Sequence, residues 1–501
     1  MIRSDETLLF LEAISNTITQ ELLPDLRSSQ TRKSAEHIVQ VLDCMRAQVR
    51  DGDRVAAAHL EQWRQLRQQL PLKPKRGSVA QIASAEDASA QASTGGLRQL
   101  ESELALVQQR LLEEENFNEL VRGFADGGSP LSRWYRQAIE AASDYWEAHD
   151  DSVQPLPPKA AHSQGGEDPE ALRVRLGAYL ARKYPGLSDD PIAALRIAAG
   201  GMTKVTALFT LKPNTLLPLR LVLRQDVAVN LTGTVVTDEY PIVLRLHRLG
   251  LKVPEPILVE GDPSVLGGSF MIMTEIADAV PAGTYFPKDR ARQPRLIGPV
   301  FGRDAAEELA RLHRLTAVVV DDPGRIAAAH RDGVDKAYQL WKSMPKPPNS
   351  VIVDLGFAWL KAHPLSEDRP RCLIHGDYSA HNMMARDGRL AGVLDWELAV
   401  EDDPTIDLAE ARLFLVEDTL PWDPFVAAYL KAGGDPRTCD QAAVTYYCVW
   451  SYTVKYGIML FSARNIFVGG ARRDSLMASA ASLSTDRILH FLSRSLKMTT
   501  Q

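Results

Sequence analysis

The chain has 501 residues, 45% hydrophobic, 24% charged and 7% aromatic, a globular composition long enough for several domains at roughly 100–200 residues each. Lys and Arg number 57 against 64 Asp and Glu, a formal charge of −7, which argues against a general nucleic-acid binder because phosphate affinity needs a basic face. No stretch reaches the roughly 18–20 apolar residues that span a bilayer, MIRSDETLLFLEAI lacks a signal-peptide pattern, and Cys44, Cys372, Cys439 and Cys448 lack ligand-like spacing. A reduced, cytoplasmic protein without membrane contact is expected.

The first 70 residues read as helical. Leu11, Ile14, Ile18 and Leu22, then Ile38, Leu42, Met45 and Val49, recur at three- and four-residue steps and give each helix one apolar stripe. Residues 71–96, rich in Ala, Ser, Gly and Gln, hold too few large apolar groups to offset the entropy of ordering and read as a flexible linker or long loop. Periodicity returns at Leu97, Leu100, Leu104, Val107 and Leu111, and a further helix is expected over 130–148. Residues 1–150 are therefore read as an all-α accessory module in which no residue suggests chemistry. Its stripes could pack on the rest of the chain, form a homodimer contact or shape a pocket. A linker is expected at 151–170.

Beyond it the pattern changes. Gly200 and Gly201 stand between an apolar helix and a strand, and VTALFTL (205–211) and LRLVLR (219–224) form a hairpin-like pair of β-type runs. A helix is expected from near Thr237, followed by GSFMIMTEI (268–276), a run of buried-strand type. After residue 300 the chain is mostly helical, interrupted by CLIHGD and AGVLDW. Strands first and helices second point to an α+β fold with a small β-sheet lobe over 171–276 and a larger helical lobe over 277–501.

The chemistry concentrates in LIHGDYSAHNMMARDGRLAGVLDWELAVEDDPTIDLAEAR, residues 373–412. Asp377 follows an apolar run, Asn382 comes five residues later, and Asp395 ends the next apolar run. Two short strands joined at Asp387 and Gly388 place Asn382 and Asp395 near each other at one end of a hairpin. An amide oxygen, a carboxylate and nucleotide phosphates suit Mg²⁺, which takes few protein ligands. Asp377 is left to accept a proton from an attacking hydroxyl, the set that phosphoryl transfer needs. Any one of these residues alone reads as a turn or cap residue. Their joint spacing is what points to chemistry.

HGDxxxxN followed by a strand ending in Asp-Trp-Glu resembles the core of the aminoglycoside-phosphotransferase-like kinases, most of all the branch fused to acyl-CoA dehydrogenase domains in some eukaryotic proteins. The resemblance covers most of 170–498 and implies a two-lobed protein-kinase-like fold that uses ATP and Mg²⁺ on a small-molecule hydroxyl acceptor. By this resemblance Asp377 is the catalytic base or hydroxyl-orienting group, His375 supports its loop, and Asn382 and Asp395 hold magnesium. Gly200 and Gly201 occupy the phosphate-covering loop. Arg224 stands where many relatives carry the phosphate-binding lysine, and its fork can bind phosphate oxygens. Glu239 is its ion-pair partner, and Met273, Thr274, Glu275 and Ile276 form the inter-lobe connection that adenine contacts through backbone groups. Asp407 resembles the family's structural aspartate, and GRDAAEELARLHRL (302–315) the helix before the catalytic loop.

The acceptor class is less legible. Glu401, Asp402, Asp403, Glu410, Glu417 and Asp418 make one segment acidic, which suits a cationic acceptor or simply an acidic face. Trp450, Tyr452, Tyr456 and Phe461 read more readily as core than as a substrate box. The dehydrogenase-fused resemblance slightly favours a hydroxyacyl-type acceptor over an aminoglycoside-like one. The alternative to an enzyme is a non-catalytic nucleotide-binding scaffold that uses its helical module for protein interaction.

Overall fold

The computed structural model describes residues 169–198, 204–227, 233–283, 297–315, 331–344, 351–366, 368–416 and 419–459, together with positions 11, 14, 15, 18, 38, 39, 42 and 462. The backbone is α-helical at 11, 14, 15, 38, 39 and 42. The expected linker at 71–96, the helix at 130–148, most of the linker at 151–170, and Gly200, Gly201, Glu417, Asp418 and Phe461 lie outside the described residues. Helix α1, Pro169–Lys183, starts two residues inside the expected linker.

Five antiparallel strands follow in the order β1-β2-β3-β5-β4: β1 Ile192–Ile197, β2 Lys204–Leu211, β3 Arg220–Asp226, β4 Pro256–Glu260 and β5 Phe270–Thr274. The two-residue side-chain period divides β3 between two faces. Leu221 and Leu223 join Leu172, Leu176 and Leu180 of α1 in one core, while Val222 packs towards Val236, Met271 and Met273 on the side of α2, Val236–Arg248. Arg224 shares the face of Val222, so the polar residue in an apolar strand points towards α2 rather than into the main core. Pro241, expected near the helix start, is the sixth residue of α2, past the first turn, so the helix forgoes one intrahelical hydrogen bond there.

One expectation needs correcting here. The segment ahead of Gly200, expected to be an apolar helix, holds instead strand β1, paired antiparallel with β2 from Ile197↔Ala207 to Ile192↔Leu211. Alanine and leucine favour helix locally, but pairing with β2 and burial of Ile192 and Ile197 decide the outcome.

The second lobe is built on α3, Pro299–His313, whose Phe301, Ala305, Leu309 and Leu312 are buried in the largest core. The lobe also holds α4 Arg331–Ser343, α5 Val351–Ala362, α6 Thr405–Phe414, α7 Trp422–Lys431, which packs on α3, and α8 Gln441–Trp450, which runs into a π-helical turn, Ser451–Tyr456. Short strands supply the loop framework. Strand β6, Val280–Pro281, pairs with β8, Met383–Arg386; β7, Cys372–Ile374, pairs with β10, Val400–Asp402; and β8 forms the expected hairpin with β9, Arg389–Val393. Asp387 and Gly388 turn that hairpin with φ of 52° and 72°, the left-handed pair a two-residue connection requires. The architecture is a two-lobed α+β fold, and among the described residues no helix is long and apolar enough to cross a membrane.

Candidate active site

The loop from His375 to Asn382 leaves β7 at the base of the cleft between the lobes. Asp407, in the first turn of α6, receives the His375 N–H at 2.7 Å on one oxygen and the Gly376 N–H at 2.8 Å on the other, and lies 3.2 Å from His313 Nε2. Gly376 has φ +78°, and a Cβ there would sit 2.6 Å from the Leu398 carbonyl oxygen, so glycine alone lets the loop pass. The His375 ring is engaged at both nitrogens: Nδ1 accepts the Asp377 N–H at 3.1 Å, and Nε2 donates to Leu394 O at 2.9 Å. Burial disfavours its protonation and lowers its pKa. His375 therefore braces the loop as a neutral ring.

Asp377 stands at the centre of five side chains, the Ser379 hydroxyl among them at 3.5 Å from Oδ1. Its Oδ1 receives Lys455 Nζ at 2.8 Å and lies 3.1 Å from the Tyr456 hydroxyl; its Oδ2 receives Asn382 Nδ2 at 2.9 Å and lies 3.5 Å from His381 Nε2. Burial opposes its ionisation, but Lys455 and His381 outweigh that and hold the carboxyl well below the usual range. Asn382 spends both amide protons on Asp377, on Oδ2 and on the backbone O at 3.0 Å, which leaves the amide oxygen as its atom for a cation. The hairpin register Met383↔Val393 and the 2.8 Å bond from Leu394 N to Asn382 O bring Asp395 beside it. Asp395 itself adopts φ +67°, which an aspartate tolerates better than a branched residue.

Above this loop the two lobes meet through charge. Arg224 Nη2 donates to Asp395 Oδ1 at 2.7 Å and lies 3.4 Å from Glu239 Oε2, so the expected Arg224–Glu239 pair forms and extends to a third residue. Glu239 also accepts the Trp396 N–H at 3.2 Å. Burial pushes the Glu239 carboxyl up to about 7 against the pull of Arg224, and raises that of Glu397 as well. Lys204, at the start of β2, lies 3.2 Å from Asp226 and 3.3 Å from Glu397 and donates to Thr234 O at 2.6 Å. Two cations thus face four carboxylates (Asp226, Glu239, Asp395 and Glu397). The open amide oxygen of Asn382 beside the Asp395 carboxylate fits a divalent cation.

The residues expected at the inter-lobe connection lie at the end of β5 and just after it. Met273 is buried against α2; the Glu275 N–H is held by Arg220 O at 3.1 Å, and its carboxylate pairs with the Arg220 guanidinium at 2.8 Å. Ile276 lies against Gly392 of β9, where any Cβ would fall 2.2 Å from Ile276 Cδ1.

Sequence reading missed Lys204, Glu397, His381 and Lys455 as site residues, and took Tyr456 as core. Lys455 did carry a signal: it is the one charge inside WSYTVKYGIMLF, and a lone lysine in an apolar run needs a buried partner. The acidic segment is largely internal. Asp403 pairs with Arg369 at 2.6 Å and caps Thr405, and Glu410 accepts from Ser451 and Tyr456, so these carboxylates are not a free attracting face.

Residues 214–442 match the phosphotransferase enzyme family. Among curated proteins the chain is 27% identical over 248 residues to acyl-CoA dehydrogenase family member 11 of Gallus gallus, and 27% identical over 248 residues to the Homo sapiens protein of that name; each match covers 48% of this chain and 30% of the relative. The matched stretch thus spans less than a third of those relatives' length. Among solved structures, a choline/ethanolamine kinase family protein from Mesorhizobium loti is 19% identical with TM-score 0.42, covering 65% of this chain and 98% of that one. The GDP complex of aminoglycoside 2′-phosphotransferase-IIIa is 15% identical with TM-score 0.43, covering 63% and 98%.

Proposed function

We propose, from the match of residues 214–442 to the phosphotransferase enzyme family, that the chain moves the γ-phosphoryl group of ATP to a hydroxyl of a small molecule. The observation that carries this reading is the placement of Asp377, Asn382 and Asp395 on one loop and the adjoining hairpin end. ATP is placed between a lobe of residues 171–276 and one of 277–501, with residues 1–150 as an accessory module and a possible homodimer contact, in a cytoplasmic protein. Arg224 would turn its fork towards the phosphates; its Nε, buried and without a hydrogen-bond partner among the described residues, is a donor such an oxygen can take. Gly200 and Gly201 would cover the phosphates.

Asn382 and Asp395 would hold Mg²⁺, which when bound neutralises charge on the phosphate oxygens. The remaining work belongs to the side chains. Asp377 accepts a hydrogen bond from the acceptor hydroxyl and sets its oxygen in line with the γ-phosphorus. The new O–P bond forms as the bond to the β-bridging oxygen breaks, ADP leaves, and the hydroxyl proton passes to Asp377. A carboxylate held so far below the usual range is a weak base, so Asp377 contributes more by orientation than by early proton removal. Because the matched relatives are named for acyl-CoA chemistry, hydroxyacyl compounds, free or as thioesters, are the first acceptor class, with aminoglycoside-like amino alcohols second.

Mg²⁺-dependent ADP release across hydroxy acids, their CoA esters, aminoglycosides, macrolides and amino alcohols tests this, with Asp377→Ala as the blank. A hit that falls about 10²–10⁴-fold in the variant supports the kinase. Tight nucleotide binding with silence across the panel favours the scaffold alternative, and no nucleotide binding at all ends the reading.

A further inference from the structure

Lys455 lies outside the family-matched segment 214–442, on the π-helical turn that ends α8. Its ammonium sits 2.8 Å from the Gly376 carbonyl oxygen, 2.8 Å from Asp377 Oδ1 and 3.1 Å from Glu410 Oε2. An ammonium has three N–H donors, and three acceptors converge on this one. Nothing is left over for a phosphate or an acceptor, so its task lies with the protein groups it holds. Two of those belong to the loop that carries Asp377, the backbone before it and its carboxylate. A lysine present only to neutralise buried Glu410 would not need its two shorter contacts on that loop.

The neighbouring residue makes the same connection. Tyr456 places its hydroxyl 3.1 Å from Asp377 Oδ1 and 3.0 Å from Glu410 Oε2, and Glu410 also receives the Ser451 hydroxyl. Lys455 and Tyr456 are adjacent in sequence, about 100° apart on a regular helix. The wider π turn, a feature concentrated at functional sites, is where both reach the same pair of carboxylates. Aromatic packing fixes the turn: Tyr456 meets Phe414 of α6 at 5.3 Å between ring centroids, and Phe414 meets Tyr452 at 5.9 Å.

Resting on the phosphotransferase reading, we propose that Lys455 is a positioning residue of the transfer site: it ties the Gly376–Asp377 segment to α6 and fixes the Asp377 carboxylate in the orientation an acceptor hydroxyl meets. Oδ1 is occupied by Lys455 and Tyr456, so the carboxylate cannot rotate freely about its own axis.

The test uses the full chain. Binding of a fluorescent, non-hydrolysable ATP analogue with Mg²⁺ is titrated for wild type, Lys455→Met and Lys455→Arg, and ADP release is measured with water and with the acceptor panel. Lys455→Met is expected to keep the nucleotide Kd and the KM for ATP within about threefold while kcat falls about 100-fold, the size of a misplacement near 1 Å. Lys455→Arg, which keeps the charge but not the compact three-way donor, is expected to recover part of the loss and guards against a methionine variant that fails to fold. Equal kcat in wild type and Lys455→Met overturns the proposal. Where turnover is undetectable in every form, a crystal structure of Lys455→Met decides: a displaced Asp377 carboxylate supports the role and an unmoved one overturns it. Wild type that binds no nucleotide defeats the phosphotransferase reading itself, a result distinct from either.

Discussion

Arg224 answers to two carboxylates at once, Asp395 at 2.7 Å and Glu239 at 3.4 Å, and Glu239 is 2% exposed. Replacing it with methionine leaves Glu239 buried without its counter-charge, a loss of about 3–5 kcal/mol for a broken buried pair. Urea titration of Arg224→Met should show that loss; an unchanged midpoint would mean that the pair contributes nothing net. His375 gives a second expectation. Its pKa is lowered in the fold, so below the ordinary value near 6.5 the unfolded chain gains a proton that the native ring refuses. Stability from this group is complete above that value and declines as pH falls through it towards the folded value. Nitrogen NMR of the labelled ring at pH 6 should find a neutral Nε2–H tautomer, and a doubly protonated ring would refute the brace. At this scale spacing on one loop and hairpin singled out Asp377, Asn382 and Asp395 as candidates, and the family resemblance singled out the Arg224–Glu239 pair, which the structure forms. Lys204 and Lys455 were not visible in that way, since their partners lie 193 and 78 residues away, at Glu397 and Asp377 respectively.

The elements that carry the loop are held by backbone geometry more than by side-chain choice. Gly376→Ala combines φ +78° with a 2.6 Å approach to Leu398 O, so the variant should melt lower and lose turnover together. Retention of both would show that β7 and the loop can shift apart cheaply. Asp407→Ala removes the acceptor of two buried N–H groups, His375 and Gly376, and at about 1–3 kcal/mol for each orphaned donor should cost at least about 2 kcal/mol in denaturant. Thermal melts of the two variants side by side separate a backbone clash from a lost cap. The β8–β9 hairpin was legible because Asp-Gly demands the left-handed turn observed. Strand β1 was not, because its six residues hold no strict alternation and their conformation is set by a partner strand rather than by local preference.

Across the whole molecule, the sheet lobe and the helical lobe are joined by Lys204–Glu397, Thr234–Glu397, Arg224–Asp395 and the Glu239–Trp396 bond. Lobe order, strands first and helices second, was legible because periodicity switches near residue 300; the charged seam was not, because it depends on how the lobes face each other. Mg²⁺ with an ATP analogue at about 100 times its Kd adds about 2.7 kcal/mol to the folded state and should raise the melting temperature by several degrees. Chelation by EDTA should reverse the shift without unfolding the chain, and a melting temperature indifferent to both would argue against a nucleotide cleft. The guanidinium on Asp395 has one more consequence, an order of arrival. On the proposed reading, a bare divalent ion would find that carboxylate already matched with a counter-ion of the protein's own and would have to displace it. An ion escorted by a triphosphate would bring the anion that Arg224 can take in exchange, so metal and nucleotide would enter best as one package.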